Sequence, residues 1–267
     1  MTEPETQVAV ITGAHQGIGR RIAEVLASEG YSLALIDQVS PDETLAAVKA
    51  SGADSIGIAC DVSRQEDVDA AVATTLRRFG RADVLVNNAG IGLIAAAEST
   101  TAEQWRRVLD VNLTGPFLLC KAFSETLLRQ RRGRIVNIAS ICGICGVPDR
   151  VAYNASKHGL IGLTRTLAVE WGGRGIRVNA VCPSWVQSEE DEAELAALEA
   201  QGPVPFTRED ITDRVALARF ARPEDIAQAV VFLADDAKSG FINGVALSVD
   251  GGWHIDASWR ALRLAKR

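Results

Sequence analysis

Residues 152–159 read AYNASKHG, and they hold one of only two tyrosines in the chain. Tyr153 and Lys157 are four positions apart, so on a helix both side chains leave the same face one turn apart. A free phenol ionises near pH ~10, so very little of it is anionic at neutrality. An ammonium group beside it favours the phenolate, which would make the tyrosine a general base. The same spacing also fits a half-buried tyrosine next to a surface lysine, and eight residues do not separate the two.

A second stretch, TGAHQGIG at 12–19, lies between an apolar β-branched run and a helical pattern. Glycines there let the backbone turn tightly and approach a pyrophosphate, whose charge meets a helix N-terminus. The spacing of Gly13, Gly17 and Gly19 is G-x3-G-x-G, not the commoner G-x-G-x-x-G. Asp37 ends the next apolar run, where a carboxylate accepts hydrogen bonds from both adenosine ribose hydroxyls and repels a 2′-phosphate. Neither Gln16 nor Gln38 supplies a compensating cation, although Arg20 and Arg21 follow on the helix. NAD is therefore favoured over NADP, while Asp37 as a plain turn residue stays open.

Other chemistries find little support. The five cysteines are an odd number, which reads as reduced thiols in a cytosolic protein. Cys142 and Cys145 form a C-x-x-C, but in ICGICGVP the Gly and Pro mark a loop, whereas redox pairs favour a helix N-terminus. The three histidines, at 15, 158 and 254, are scattered, and no metal site is expected. A formal charge of -6 argues against nucleic acid or an anionic membrane as the main partner. The acidic start lacks the features of a signal peptide, and no run approaches the ~18 apolar residues of a membrane span, so a cytoplasmic location is expected.

The elements that would position these residues alternate along the chain. Strands are expected at 7–12, 31–37, 55–60, 82–90, 134–140, 175–183 and near 244–249. Helices are expected at 17–28, near 42–50, at 64–78, at 102–130 with a break near Gly115-Pro116, at 150–171 and from Pro223. This alternation predicts an α/β fold: one Rossmann-type, doubly wound domain over 1–267, with about seven parallel strands and helices on both faces. Residues 184–222 are polar and irregular; their acidic run EEDEAELAALEA is expected to form a short exposed helix.

Together these pieces resemble a classical short-chain dehydrogenase/reductase over about residues 7–253. The glycine signature is similar to Thr12, Gly13, Gly17 and Gly19, an N-N-A-G stands at Asn87-Asn88-Ala89-Gly90, and an Asp plus apolar residue at Asp61-Val62. The resemblance implies catalytic roles for Asn112, Ser140, Tyr153 and Lys157. It implies cofactor contacts from the glycine turn with Gln16 and Ile18, from Asp37, Asp61, Val62, Asn88, Ala89 and Gly90, and from Tyr153, Lys157, Pro183, Val186 and Ser188. Two departures stand out: Pro183-Ser184 replaces a usual Pro-Gly, and Ser188 replaces a Thr that often holds the nicotinamide carboxamide.

The resemblance further implies a lid at 184–222 and a homotetramer, or a homodimer, built on the two long helices. Around the reacting hydroxyl, Ser140, Cys142, Arg150, Tyr153 and Trp185 are the candidate substrate contacts. Arg150, three residues before Tyr153, would share its helix face. Trp185, Gln187, Ser188 and a guanidinium suit a small polyhydroxylated substrate, a sugar or polyol, ahead of hydroxy acids. A 3-oxoacyl carrier-protein reductase is a further possibility, disfavoured by Asp37 and the acidic lid. A catalytically silent NAD(H)-sensing regulator is another, disfavoured by the presence of both Tyr153 and Lys157.

Overall fold

The structure is a computed structural model that describes residues 6–188, 196 and 207–257. The acidic run at 189–200, expected as an exposed helix, lies outside the described residues save for residue 196, as does the tail from 258.

The first strand, β1 (Val8–Thr12), is buried at all five positions. Such continuous apolar runs arise where both faces of a sheet are covered. With β2 (Ser32–Asp37), β3 (Ser55–Ala59), β4 (Val84–Asn87), β5 (Gly133–Ile138), β6 (Ile176–Pro183) and β7 (Ala246–Val249) it forms one seven-stranded sheet in the order β3-β2-β1-β4-β5-β6-β7. Every pairing is parallel, with Val10 between Ala34 and Leu85. The chain winds outward from β1 through β2 and β3, then returns to place β4 on the other side of β1. Ligands of open parallel sheets bind off the strand carboxyl ends at this reversal.

Side chains alternate between the two faces of each strand, and the core divides accordingly. On one face, Ile11, Leu35 and Val86 pack with Ile22 and Leu26 of α1 (Gly17–Ser28), Val48 of α2 (Asp42–Ala50), and Ile226 and Val230 of a later helix, Pro223–Ala234. On the other, Val10, Ile36, Leu85 and Ile135 pack with Val68 and Val72 of α3 (Gln65–Phe79) and with residues of the two long helical stretches.

The first long stretch departs from expectation. It comprises α4 (Ala102–Leu109), a π-helical turn at Asp110–Thr114 and α5 (Gly115–Gln130), so the irregularity precedes Gly115-Pro116. Pro116 lies in the first turn of α5, directly after the π-helical turn. The second stretch, α6, runs from Val151 to Gly172, leaving Arg150 just outside it. A chain of buried hydrogen bonds ties α6 to the sheet: Asn87 Nδ2 donates to Asn137 Oδ1, Asn137 Nδ2 to Thr164 Oγ1, and Thr164 Oγ1 to Leu160 O. Within the expected lid, α7 (Arg208–Arg214) is the described helix; α8 is Pro223–Ala234 and α9 is Asp236–Ser239.

Candidate active site

A cavity of about 550 Å³ opens along the carboxyl ends of β1, β2, β4, β5 and β6. At the β1 end, Gln16 sits at the N-cap of α1 in extended backbone and makes no capping bond, and no acid lies in the first turn. The leading N–H groups of α1 thus receive no cap from the Gln16 side chain, and Ile18 and Gly19 line the cavity. Gly13 has φ +65°, and a Cβ there would stand 2.8 Å from Asn88 Nδ2. A Cβ on Gly19 would fall 1.9 Å from Gly13 O. The turn can only be built with glycine at both positions, and its uncapped helix end fits a pyrophosphate.

Asp37 projects into the same end. Its Oδ2 accepts from His15 N at 3.0 Å and its Oδ1 from Val39 N at 3.1 Å, which fixes the carboxylate and leaves lone pairs on both oxygens. Gln38, Val39, Cys60 and Val62 complete this wall. Asp61 adjoins this wall: it shares a side-chain hydrogen bond with Gln38, accepts from Ser63 N and Oγ, and lies 3.3 Å from Arg107 Nη1. Burial pushes its carboxyl up, but the Ser63 hydrogen bonds and the Arg107 charge outweigh this and hold it below the usual range.

The far end holds Ser140, Tyr153 and Lys157, with Asn88, Ala89 and Gly90 between the two; Pro183, Ser184, Val186 and Ser188 also line the cavity, and a Cβ on Gly17 would sit 3.7 Å from Ser188 Cβ, so Ser188 adjoins the glycine turn. Lys157 is buried; its Nζ donates to Ile138 O at 2.8 Å and stands 5.4 Å from the Tyr153 ring centroid. Ser140 Oγ accepts from Cys142 N at 3.1 Å and caps the short 3-10 turn Ile141–Gly143. Asn112, in the π-helical turn, accepts from Ile91 N at 2.8 Å and donates to Ile91 O at 2.9 Å and to Ser156 Oγ at 3.2 Å. A Cβ on Gly90 would sit 3.4 Å from Asn112 Oδ1 and 3.5 Å from Lys157 Nζ, so these two groups flank the same point.

Other expected residues stand outside the cavity wall. Thr12 is buried, and its Oγ1 accepts from the backbone of Asn88 and of Ala89, each at 3.0 Å. Gly17 has φ +55°, and a Cβ there would stand 3.7 Å from the Cβ of the lining residue Ser188. Arg150 and Trp185 adjoin lining residues, the Arg150 guanidinium lying 5.8 Å from the Tyr153 ring and from the Trp185 ring. Arg150 does so from the N-cap position, not from the helix face expected for it. Cys142 and Cys145 are free thiols that burial pushes up, so neither carries the thiolate character of a redox pair. Where Pro-Gly was expected, Ser184 Oγ donates to Asp250 O at 3.4 Å.

Sequence reading missed His15, Gln38, Val39, Cys60, Ile91, Gly92, Val111, Ile138 and Ala139 as lining residues. The signal available for several was position alone, since each directly follows or ends a strand facing the cavity.

The family described as enoyl-(acyl carrier protein) reductase matches residues 13–254. A 3-oxoacyl-[acyl-carrier-protein] reductase of Synechocystis sp. is 38% identical over 94% of this chain and 98% of its own. This chain belongs to the short-chain dehydrogenase/reductase family. A D-threitol dehydrogenase of Mycolicibacterium smegmatis is 40% identical over 93% of each chain. Among solved structures of the family, a single-substitution variant of actinorhodin polyketide ketoreductase with NADPH superposes with a TM-score of 0.89 at 35% identity, over 95% of this chain and 99% of that one. Like other short-chain dehydrogenases/reductases, the protein is an NAD(P)-dependent oxidoreductase acting on CH–OH groups. Among the described residues no helix is long and apolar enough to cross a membrane, and no group of His, Cys, Asp and Glu has the makings of a metal site.

Proposed function

We propose that this protein is an NAD-linked dehydrogenase that interconverts a secondary alcohol and a ketone on a small polyhydroxylated compound, a sugar or a polyol. The observation that carries this reading is one cavity with Ser140, Tyr153 and Lys157 at one end and the Asp37 carboxylate at the other. The glycine turn and the N-terminus of α1 would hold the pyrophosphate of the cofactor, Asp37 its adenosine ribose, and Ser188 its carboxamide. Bound nicotinamide supplies the acceptor, or in reverse the donor, of hydride.

In the oxidative direction, Tyr153 as phenolate takes the proton of the substrate hydroxyl. Ser140 Oγ hydrogen-bonds the same oxygen and orients it. The Lys157 ammonium, fixed by Ile138 O, favours the phenolate and would hold the nicotinamide ribose of a bound cofactor. Asn112, bonded on three sides, positions the Ile91 backbone beside Lys157 and organises the path by which the proton leaves. Trp185 offers an aromatic face to C–H surface. The D-threitol dehydrogenase relative supports a polyol.

A screen of NAD and NADP reduction against sugars, polyols, hydroxy acids, hydroxysteroids and simple alcohols tests the proposal. Best activity on a steroid or a long acyl thioester would reject it. One alternative has an observation behind it: similarity to the Synechocystis carrier-protein reductase favours a 3-oxoacyl reductase. NADPH oxidation with an acetoacetyl thioester, faster than any alcohol oxidation with NAD, would establish that instead. We also propose a homotetramer through α5 and α6, where Phe117 and Val169 are exposed. Sedimentation at micromolar concentration reads the oligomeric state directly.

A further inference from the structure

Pro183-Ser184 departs from the Pro-Gly expected after β6, and the proposed reaction makes no use of the serine. β6 runs between β5 and β7, with Val181 beside Ile138 and Pro183 beside Val249. Ser184 therefore leaves the sheet between the end of β5, which leads to Ser140, and Asp250 after β7. Ala180 and Cys182 pack with Leu160 and Ile161 of α6, and Ser184 is the next residue in that alternation. The Cys182 thiol marks the neighbourhood. Burial pushes it up to about 11, while the Ser140 backbone and the Lys157 charge act downward. Ser184 itself lines the cavity.

What Ser184 offers there is set from behind. Among the described residues its Oγ has one hydrogen-bond partner, the carbonyl of Asp250 at 3.4 Å, to which it donates. That carbonyl is firmly held. Asp250 is buried, and its carboxylate accepts from Gly252 N at 3.1 Å, His254 N at 2.8 Å and His254 Nδ1 at 2.6 Å. Gly251 adds an anchor, since its carbonyl accepts from Leu217 N at 3.1 Å. A hydroxyl has one hydrogen and two lone pairs. With its hydrogen turned to Asp250 O, Ser184 meets the cavity with lone pairs alone. Ser140 is the opposite case: its Oγ already accepts, from Cys142 N at 3.1 Å, and its hydrogen is left to give. The two serines thus ask for different partners, an oxygen that accepts at Ser140 and a hydroxyl that donates at Ser184. Neighbouring strands lie about 4.8 Å apart, a gap that oxygens on adjacent carbons bridge with one hydrogen bond each.

We propose that Ser184 determines substrate specificity by accepting a hydrogen bond from a second hydroxyl, on the carbon next to the reacting carbinol. The unit recognised is then a vicinal diol, and its oxidised form an α-hydroxy ketone. The second hydroxyl keeps its hydrogen in both, so Ser184 holds alcohol and ketone alike. The inference rests on the reading that Tyr153 and Ser140 act on a hydroxyl of a small polyhydroxylated compound. It adds which other hydroxyl of that compound is read, and by which residue.

The test uses the full chain saturated with NADH and titrates three probes by saturation-transfer NMR: trans-cyclohexane-1,2-diol, its mono-O-methyl ether and cyclohexanol. Each keeps a secondary hydroxyl; the ether retains the second oxygen without its hydrogen, and cyclohexanol lacks both. The wild type should bind the diol about fivefold more tightly than either, the scale of one neutral hydrogen bond. Ser184→Ala should erase that difference by weakening the diol alone, leaving the other two probes and NADH within twofold. Ser184→Gly, which restores the residue expected there, should behave as the alanine variant does. A wild type without preference for the diol, no measurable binding of the diol, or equal weakening of all three probes by Ser184→Ala would each overturn the proposal. So would a fall in NADH affinity in both variants, which would assign the hydroxyl to the cofactor. The readout is binding, so a failed alcohol-oxidation screen rejects the proposed reaction without deciding this result.

Discussion

Replacing Thr12 with valine keeps the shape of the side chain and removes one oxygen. That oxygen, at the end of β1, accepts from the N–H groups of Asn88 and Ala89, both at 3.0 Å. Valine leaves two N–H groups facing a methyl in a site that is 1% exposed. An unsatisfied buried donor costs about 1–3 kcal/mol. Asn88 and Ala89 are only partly buried, so the low end applies to each, giving roughly 2–3 kcal/mol for the pair. For a chain of this size that lowers the melting temperature by about 4–10 °C. Thr12→Ser keeps the oxygen and loses a methyl, worth about 0.8 kcal/mol. Thermal unfolding should therefore rank wild type, serine, valine in falling order. The valine variant should also bind NADH more weakly in a fluorescence titration, because the 88–90 turn borders the cavity. A valine variant as stable as the serine one would refute the assignment of Thr12 as the acceptor that pins this turn.

Tyr153→Phe should lower turnover by at least ~100-fold, the low end for lost general catalysis, with NADH affinity nearly unchanged; retention of a tenth of the wild-type rate would remove Tyr153 as the base. NAD should be preferred over NADP by tenfold or more in kcat/KM, about 1.4 kcal/mol, and Asp37→Ser with Gln38→Arg should narrow or invert the preference; equal use of both by the wild type would show that another group overrides the carboxylate. Asp250 is pushed up by burial, yet the N–H groups of His254 and Gly252 and the His254 ring hold it below the usual carboxylate range. A depressed folded value means its contribution is complete above the unfolded value of ~3.9 and is lost as pH falls through the folded one. Urea midpoints measured from pH 6 down to 3 should fall more steeply for the wild type than for Asp250→Asn, and parallel profiles would contradict the clasp.

The residues legible in the sequence are those whose reason is local. A glycine turn after a strand, an acid at the end of the next strand, and a Tyr and Lys one helical turn apart announce themselves by type and spacing. A parallel sheet of about seven strands with helices on both faces followed from the alternation of strands and helices; the order of those strands came from the structure. What could not be read depends on contacts between distant segments. The irregularity at 110–114 is accompanied by bonds from Asn112 to Ile91, 21 residues away, while the Gly-Pro pair that looked like a break is compatible with a helix start. Thr12 looked like a cofactor contact because it opens the glycine motif, and its partners 76 and 77 residues on give it a structural task. Arg150 was expected near Tyr153 for a helical reason. It arrives there through a left-handed Asp149 instead, which no periodicity announces.

The π-helical turn at Asp110–Thr114 amounts to one residue more than an α-helix needs. Excising a single residue there would let α4 run straight into α5, at about 100° per residue removed. The regular helix would carry Pro116 in its interior, where it has no N–H to donate; Asn112 would swing away from Ile91, and everything C-terminal to it on α5 would turn by the same angle relative to α4. Phe123 and Leu127 would leave the core, since both are fully buried in the present register. An insertion that places one amide is thus locked in by the packing of a whole helix downstream. Length changes in this protein should accumulate in the loops before α4 and after α5, and the five residues from 110 to 114 should keep their count even where their identities drift.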